Sequence, residues 1–310
     1  MRNVHRDLLV RSALFMTIAF GCGGTSSNPD AAIAVLDSGE AGVSPPYCTN
    51  SPALAGGTDL SGTWVMRLEG AQSVVAPIVG TVNTKSVFYI LATLSQNGPE
   101  VVANGRYCDR IEKDPPTNIV QVIIPPAWAH TEKLVTRPGK FAPASDGTWE
   151  LKFDYLVEFA GVVPGSDPLP TVVNDDVIDE DGDGHPGITV GISGQSLPSG
   201  NLYSVQEQMT SITAIVVGQN RVEGALLYSS LQNVLSSDPS GLAALYPHSD
   251  IPASDSVLCH SRFAMVRIAS ADSGDGGAVD AGALDAGESS GGGSVTCAWV
   301  RANESILFPQ

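Results

Sequence analysis

The sequence predicts an all-β fold, an antiparallel β-barrel or sandwich with few short helices, flanked by disordered segments. Runs of alternating apolar and polar residues recur through the middle of the chain. Gly-, Asn-, Asp- and Pro-rich turns separate them, and helical periodicity is scarce.

The first strand is Gly62 to Glu69, where apolar and polar residues alternate. Val87 to Leu94, Val101 to Cys108 and Asn118 to Ile124 repeat the pattern. Trp149 to Phe159 is a period-two run that places Trp149, Leu151, Phe153, Tyr155, Val157 and Phe159 on one face. Asp154 and Glu158 then share the opposite, polar face. Ile188 to Ile192, Leu202 to Val217, Arg221 to Ser229 and Arg262 to Ile268 complete the series. Turns fall at Asn97-Gly98-Pro99, Asp146-Gly147, Gly165 with Pro168, and Gly218-Gln219-Asn220. Short helices are expected at Leu226 to Val234, Ser240 to Tyr246 and Cys297 to Phe308.

The domains follow from composition. Residues 1–21 read as a signal peptide and 22–46 as a flexible tether of small, polar and acidic residues. The β domain spans 47–268. Residues 269–294 form an acidic Gly/Ala/Asp-rich insertion, too poor in apolar surface to offset the entropy of ordering it. Residues 295–310 pack back on the β domain. The chain carries 33 Asp+Glu against 16 Lys+Arg, a net charge of −17. That excess speaks against nucleic acid and against anionic lipid surfaces as partners.

The amino terminus has three parts: Arg2, Arg6 and Arg11, the apolar stretch Ser12 to Phe20, and the junction Gly21-Cys22. The stretch is too short to span a bilayer, which needs roughly 20 residues. A small residue directly before Cys22 resembles the lipobox of a bacterial lipoprotein signal peptide. The resemblance implies cleavage before Cys22, acylation of that residue with palmitate-type chains, and the membrane as partner through the lipid. Gly23 rather than Asp follows the cysteine, which in that family points to the outer membrane or cell surface. Cys48, Cys108, Cys259 and Cys297 remain of the five cysteines, an even number suited to disulfides in an oxidising compartment. Three connectivities are open; Cys48–Cys108 with Cys259–Cys297 keeps both loops local and is the expected one.

Asp179, Asp181 and Asp183 alternate, with Gly184 next. The spacing resembles the first half of an EF-hand calcium loop, which implies carboxylate oxygens at positions 1, 3 and 5 and the backbone carbonyl of His185 at position 7. Pro186 at position 8 and Val190 at position 12 depart from that motif, so the loop reads as a Ca2+-binding hairpin of Asp-x-Asp-x-Asp-Gly kind, completed by Asp175, Asp176 or Glu180. Asp-Gly pairs also form turns without any metal.

No catalytic signature stands out, and no catalytic residue is assigned. Two constellations deserve checking in the fold: His260 or His130 with a carboxylate such as Asp255 and a Ser as a hydrolase triad, and Asp154 with Glu158 as a carboxylate pair. Asp59-Leu-Ser-Gly-Thr-Trp64 resembles the Gly-x-Trp opening of lipocalins at Gly62, Thr63 and Trp64. In that family the Trp closes one end of an eight-stranded barrel that holds an apolar ligand. The leading function is a non-enzymatic binding or envelope-interaction module of a membrane-anchored lipoprotein, with a lipocalin-like carrier and a secreted hydrolase as alternatives.

Overall fold

The structure, a computed structural model, describes residues 47–76, 80–113, 121–194, 198–246, 253–255, 257, 259–268 and 295–309. The expected signal peptide (1–21), Cys22, the expected tether (22–46) and the expected 269–294 insertion lie outside the described residues.

The domain is an all-β, antiparallel barrel. Its strands are β1 (Gly62–Ala76), β2 (Gly80–Asn97), β3 (Glu100–Lys113), β4 (Gln121–Ile123), β5 (Leu134–Pro143), β6 (Trp149–Ala160), β7 (Ile188–Ser193), β8 (Gly200–Gly218), β9 (Arg221–Asp238), β10 (Ala253–Ser254) and β11 (Arg262–Arg267). Eight of them close a ring in the order β1, β2, β3, β5, β6, β8, β9, β11 and back to β1. Each ring strand pairs with the next in sequence, so the topology is an up-and-down meander. Closure gives these strands partners on both sides and removes the exposed edges of an open sheet. β7 and β4 extend the sheet from β8, and β10 adds to β9. The helices are α1 (Pro126–Ala129) and α2 (Cys297–Leu307), with a 3-10 turn at Ala243–Leu245.

Side-chain alternation explains the barrel. Trp64, Met66 and Leu68 of β1 point inward, as do Ile90, Ala92 and Leu94 of β2, Leu151 and Phe153 of β6, and Ile212, Ala214 and Val216 of β8; together they pack one core. The outer face of β1 to β3 is also apolar. Val65, Val87, Tyr89 and Cys108 are buried there beneath Val300, Leu307 and Phe308 at the C-terminus. Thr296 caps α2 by accepting from the Trp299 N–H.

Four sequence expectations are corrected. The disulfides are Cys48–Cys259 and Cys108–Cys297, with sequence separations of 211 and 189. Local loop length misled the pairing: ring closure sets the segment before β1 beside the one before β11, and α2 lies across β3. Leu226 to Val234 is strand rather than helix, because β9 runs unbroken along β8. Residues 134–143 form a ring strand where no strand is expected from the sequence. Pro138-Gly139 looks like a turn, yet Pro138 stands on the exposed face and Val135, Arg137, Gly139 and Phe141 alternate inward.

The fourth concerns β6. Phe153 pairs with Ile212 and Leu156 with Thr210, so Asp154 and Tyr155 together face the single residue Ser211. This β-bulge inverts the alternation above it. Tyr155 and Val157 turn outward, at 38% and 36% exposure, while Glu158 turns into the barrel. Asp154 stays outside, so the two carboxylates do not share a face.

Candidate functional site

The barrel has a sealed end and a polar end. At the floor, Leu60 and Trp64 are buried, and the Trp64 indole N–H donates to the Leu60 carbonyl at 2.8 Å. Arg267, the last residue of β11, lies over the Trp64 ring at 4.8 Å from its centroid and donates to the Asp59 carbonyl. The first and last ring strands are thereby joined across the floor. An open cleft of about 500 Å³ lies at the same end, lined by Thr58, Asp59, Ser61, Gln96, Phe141 and Trp149.

Above the apolar packing the interior becomes aromatic and then polar. Phe88 meets Tyr107 edge-on at 6.0 Å and Tyr228 at 6.2 Å. Tyr228 reaches across because residue 70 is glycine: a Cβ there would lie 2.4 Å from its ring. The Tyr107 hydroxyl donates to Glu158 Oε2 at 2.6 Å. Arg137, 1% exposed, donates to the same oxygen at 2.9 Å and to the Thr210 hydroxyl at 2.9 Å, while its Nε–H has no partner among the described residues. Burial and then the Glu158 charge raise the Tyr107 pKa, and burial raises that of Tyr228, so both phenols stay protonated donors. Arg110 stacks on Tyr107 at 4.7 Å and on Trp128 of α1 at 5.6 Å, and donates to the Trp128 and Thr131 carbonyls. The interior thus holds an apolar body, a buried aromatic shelf and a cluster of donors around the Glu158 carboxylate.

The acidic loop sits between the end of β6 and β7. Asp179, Asp181 and Asp183 each turn a carboxylate oxygen to one point, all within 4.8 Å of one another. Asp179 also accepts from the N–H groups of Gly182, Asp183 and Gly184, and Gly184 takes a φ of +88° that lets the chain turn there. Partial burial opposes the Asp179 charge, but those N–H groups outweigh it and hold its pKa below the usual range. Asp181 Oδ2 accepts from the Thr189 N–H, whereas Oδ1 is closed off from solvent with no donor among the described residues. Burial, then the neighbouring Asp183 and Asp179, raises the Asp181 pKa. The three carboxylates supply hard oxygen donors of the kind that could hold a cation. His185 stacks on Tyr203 at 4.0 Å. Glu180 turns away, accepting from Lys133 and from the Gly161 N–H, and Asp175 and Asp176 are exposed.

The hydrolase constellation comes together only in part. His260 Nδ1 is 2.7 Å from Asp255 Oδ2, but among the described residues no Ser hydroxyl bonds to His260, and Ser261 instead accepts from the Ala71 N–H. His130 lies 3.7 Å from Asp109. The interior cluster of Arg137, Glu158 and Tyr107 escaped the sequence reading. Glu158 falls in the polar phase of Trp149 to Phe159, and only the bulge set by β8 turns it into the barrel.

The chain matches no protein-family model, no curated protein and no solved structure.

Proposed function

We propose that the chain is a lipid-anchored, extracytoplasmic binding protein whose barrel carries a small, mostly apolar ligand in lipocalin fashion. The observation that carries this reading is the closed eight-stranded meander, sealed at one end by Trp64 beneath Arg267 and lined above by Phe88, Tyr107 and Tyr228. The lower interior is filled by side chains, so the ligand sits on the aromatic shelf. Its polar end meets the Tyr107 and Arg137 donors and the Glu158 carboxylate. The role is non-enzymatic: recognition and release.

The anchor is the lipid on Cys22, at the outer membrane or cell surface. Each acyl methylene buried contributes about 0.8 kcal/mol, so several chains on one cysteine hold a domain firmly. No helix among the described residues is long and apolar enough to cross a membrane. Two long-range disulfides suit an exported chain. The acidic loop holds one Ca2+ ion as a structural brace, a reading favoured by the partnerless Asp181 Oδ1.

Native mass spectrometry of the protein extracted from its own membranes tests both halves. Retained small-molecule mass, displaced by an apolar fluorescent probe, is expected, together with an acylated N-terminal peptide beginning at Cys22. An empty barrel that also ignores the probe removes the carrier. A free thiol on Cys22 removes the anchor.

A further inference from the structure

The two disulfides differ in what surrounds them. Cys108 and Cys297 are 0% and 3% exposed, sealed between β3 and α2. Cys48 and Cys259 are both partly exposed. Both also take positive φ, +55° and +68°, and among the described residues they are the non-glycine residues to do so. Left-handed backbone is unfavourable for a residue carrying a Cβ, so each half-cystine is held there by its surroundings. Thiol–disulfide exchange favours bonds that are accessible and conformationally constrained.

The segment that Cys48 pins is a strap. Residues 47–58 run along the outside of the ring toward the floor. Thr49 donates to Glu223 of β9, and the Leu54 N–H donates to the Val216 carbonyl of β8 at 2.7 Å. Residues 52–57 are exposed. Cys48–Cys259 ties the strap covalently at its upstream end, and the buried Leu60 secures the other end.

We propose that Cys48–Cys259 is an exchangeable disulfide, opened by a dithiol reductant to release the strap from the barrel wall, while Cys108–Cys297 stays closed. One thiolate of the reductant attacks a sulfur of the pair and forms a mixed disulfide, and the other cysteine leaves as a thiolate and takes up a proton. The second reductant thiol resolves the mixed disulfide. Two electrons and two protons pass to Cys48 and Cys259, and the reductant ends as its own disulfide. On a chain anchored at Cys22, the freed strap lengthens the leash between membrane and barrel; the exchange itself does not depend on that anchor.

The test is graded dithiothreitol on the oxidised full-length protein, trapped by alkylation and mapped by peptide mass spectrometry. Cys48 and Cys259 should be modified on the order of tenfold faster than Cys108 and Cys297. Limited chymotrypsin digestion should then cut near Leu54 while the barrel remains intact. Equal rates for the two pairs, earlier opening of Cys108–Cys297, or a strap still protected after its disulfide opens would each overturn the proposal. A C48S/C259S variant should show the same cut without reductant; a protected strap in that variant also overturns it, and the wild-type rates decide alone should the variant not fold.

Discussion

Arg267 and Trp64 are direct partners across the β1–β11 pairing, and the guanidinium lies over the indole, 4.8 Å from its centroid. This contact sits at the floor end of the six-pair β1–β11 ladder that closes the ring. Trp64→Ala is expected to cost about 3–5 kcal/mol, as for other large buried aromatics. Arg267→Ala should cost about 1–2 kcal/mol through the lost cation–π stack and the lost donor to the Asp59 carbonyl. Arg267→Lys should recover little, because an ammonium lacks the planar face. Urea unfolding measures all three; a silent Arg267→Ala would mean that the floor holds without the stack.

Among the described residues, Glu158 is the carboxylate that pairs with the buried Arg137 charge. Removing it leaves a cation that is 1% exposed without its carboxylate, so Glu158→Ala should cost about 3–5 kcal/mol. An Arg137→Met/Glu158→Met double variant should lose less than Glu158→Ala, since it removes both desolvated charges. Thermal melts with a double-mutant cycle decide. A loss below about 1 kcal/mol for Glu158→Ala would show that Arg137 is effectively solvated.

Most of the ring was legible because period-two alternation is a local property. The phase of Gly62 to Glu69 alone places Trp64, Met66 and Leu68 on the core side. Legibility ended where tertiary structure sets the answer. The bulge at Asp154 and Tyr155 is defined by β8 across from it, and nothing within Trp149 to Phe159 reveals it. Pro138 is tolerated in β5 because its ring stands outside, a fact about its neighbours. The disulfide partners were hidden for the same reason, since closure brings distant segments together and sequence separation carries no trace of it. The Asp179, Asp181, Asp183 cluster was readable because all its donors lie in one turn, whereas Arg137, Glu158 and Tyr107 come from three strands.

Glu304 of α2 faces Asp109 of β3, and its Oε1 is buried. Burial first, then the Asp109 charge, pushes its pKa up to about 7 against the opposing pull of Arg67 and Arg301. The folded value lies above the ordinary glutamate value of 4.5, so the folded state holds the proton more tightly. The contribution to stability is therefore full below about pH 4.5 and is lost as pH rises through about 7. Glu304→Gln should flatten the stability profile across that window and raise the melting temperature at pH 8. An unchanged profile in the variant would place the pH dependence elsewhere.

Asp181 supplies the sharpest test of the acidic loop, because its two roles predict opposite signs. Without a cation, ionising this carboxylate is unfavourable: burial and the Asp183 charge both raise its pKa. Asp181→Asn then relieves the repulsion and should stabilise the cation-free protein slightly at pH 7. With Ca2+ the same charge becomes attractive. Extracellular-type sites bind at about 0.1–1 mM, and a concentration tenfold above the dissociation constant adds about 1.4 kcal/mol. For a domain of this size that raises the melting temperature by about 4 °C. The expected pattern is a calcium-dependent rise in the wild type, none in Asp181→Asn, and a variant slightly more stable than wild type in chelator. Millimolar Ca2+ that leaves the wild-type melt unmoved would reduce the loop to a turn held by Asp179 and the N–H groups of Gly182, Asp183 and Gly184.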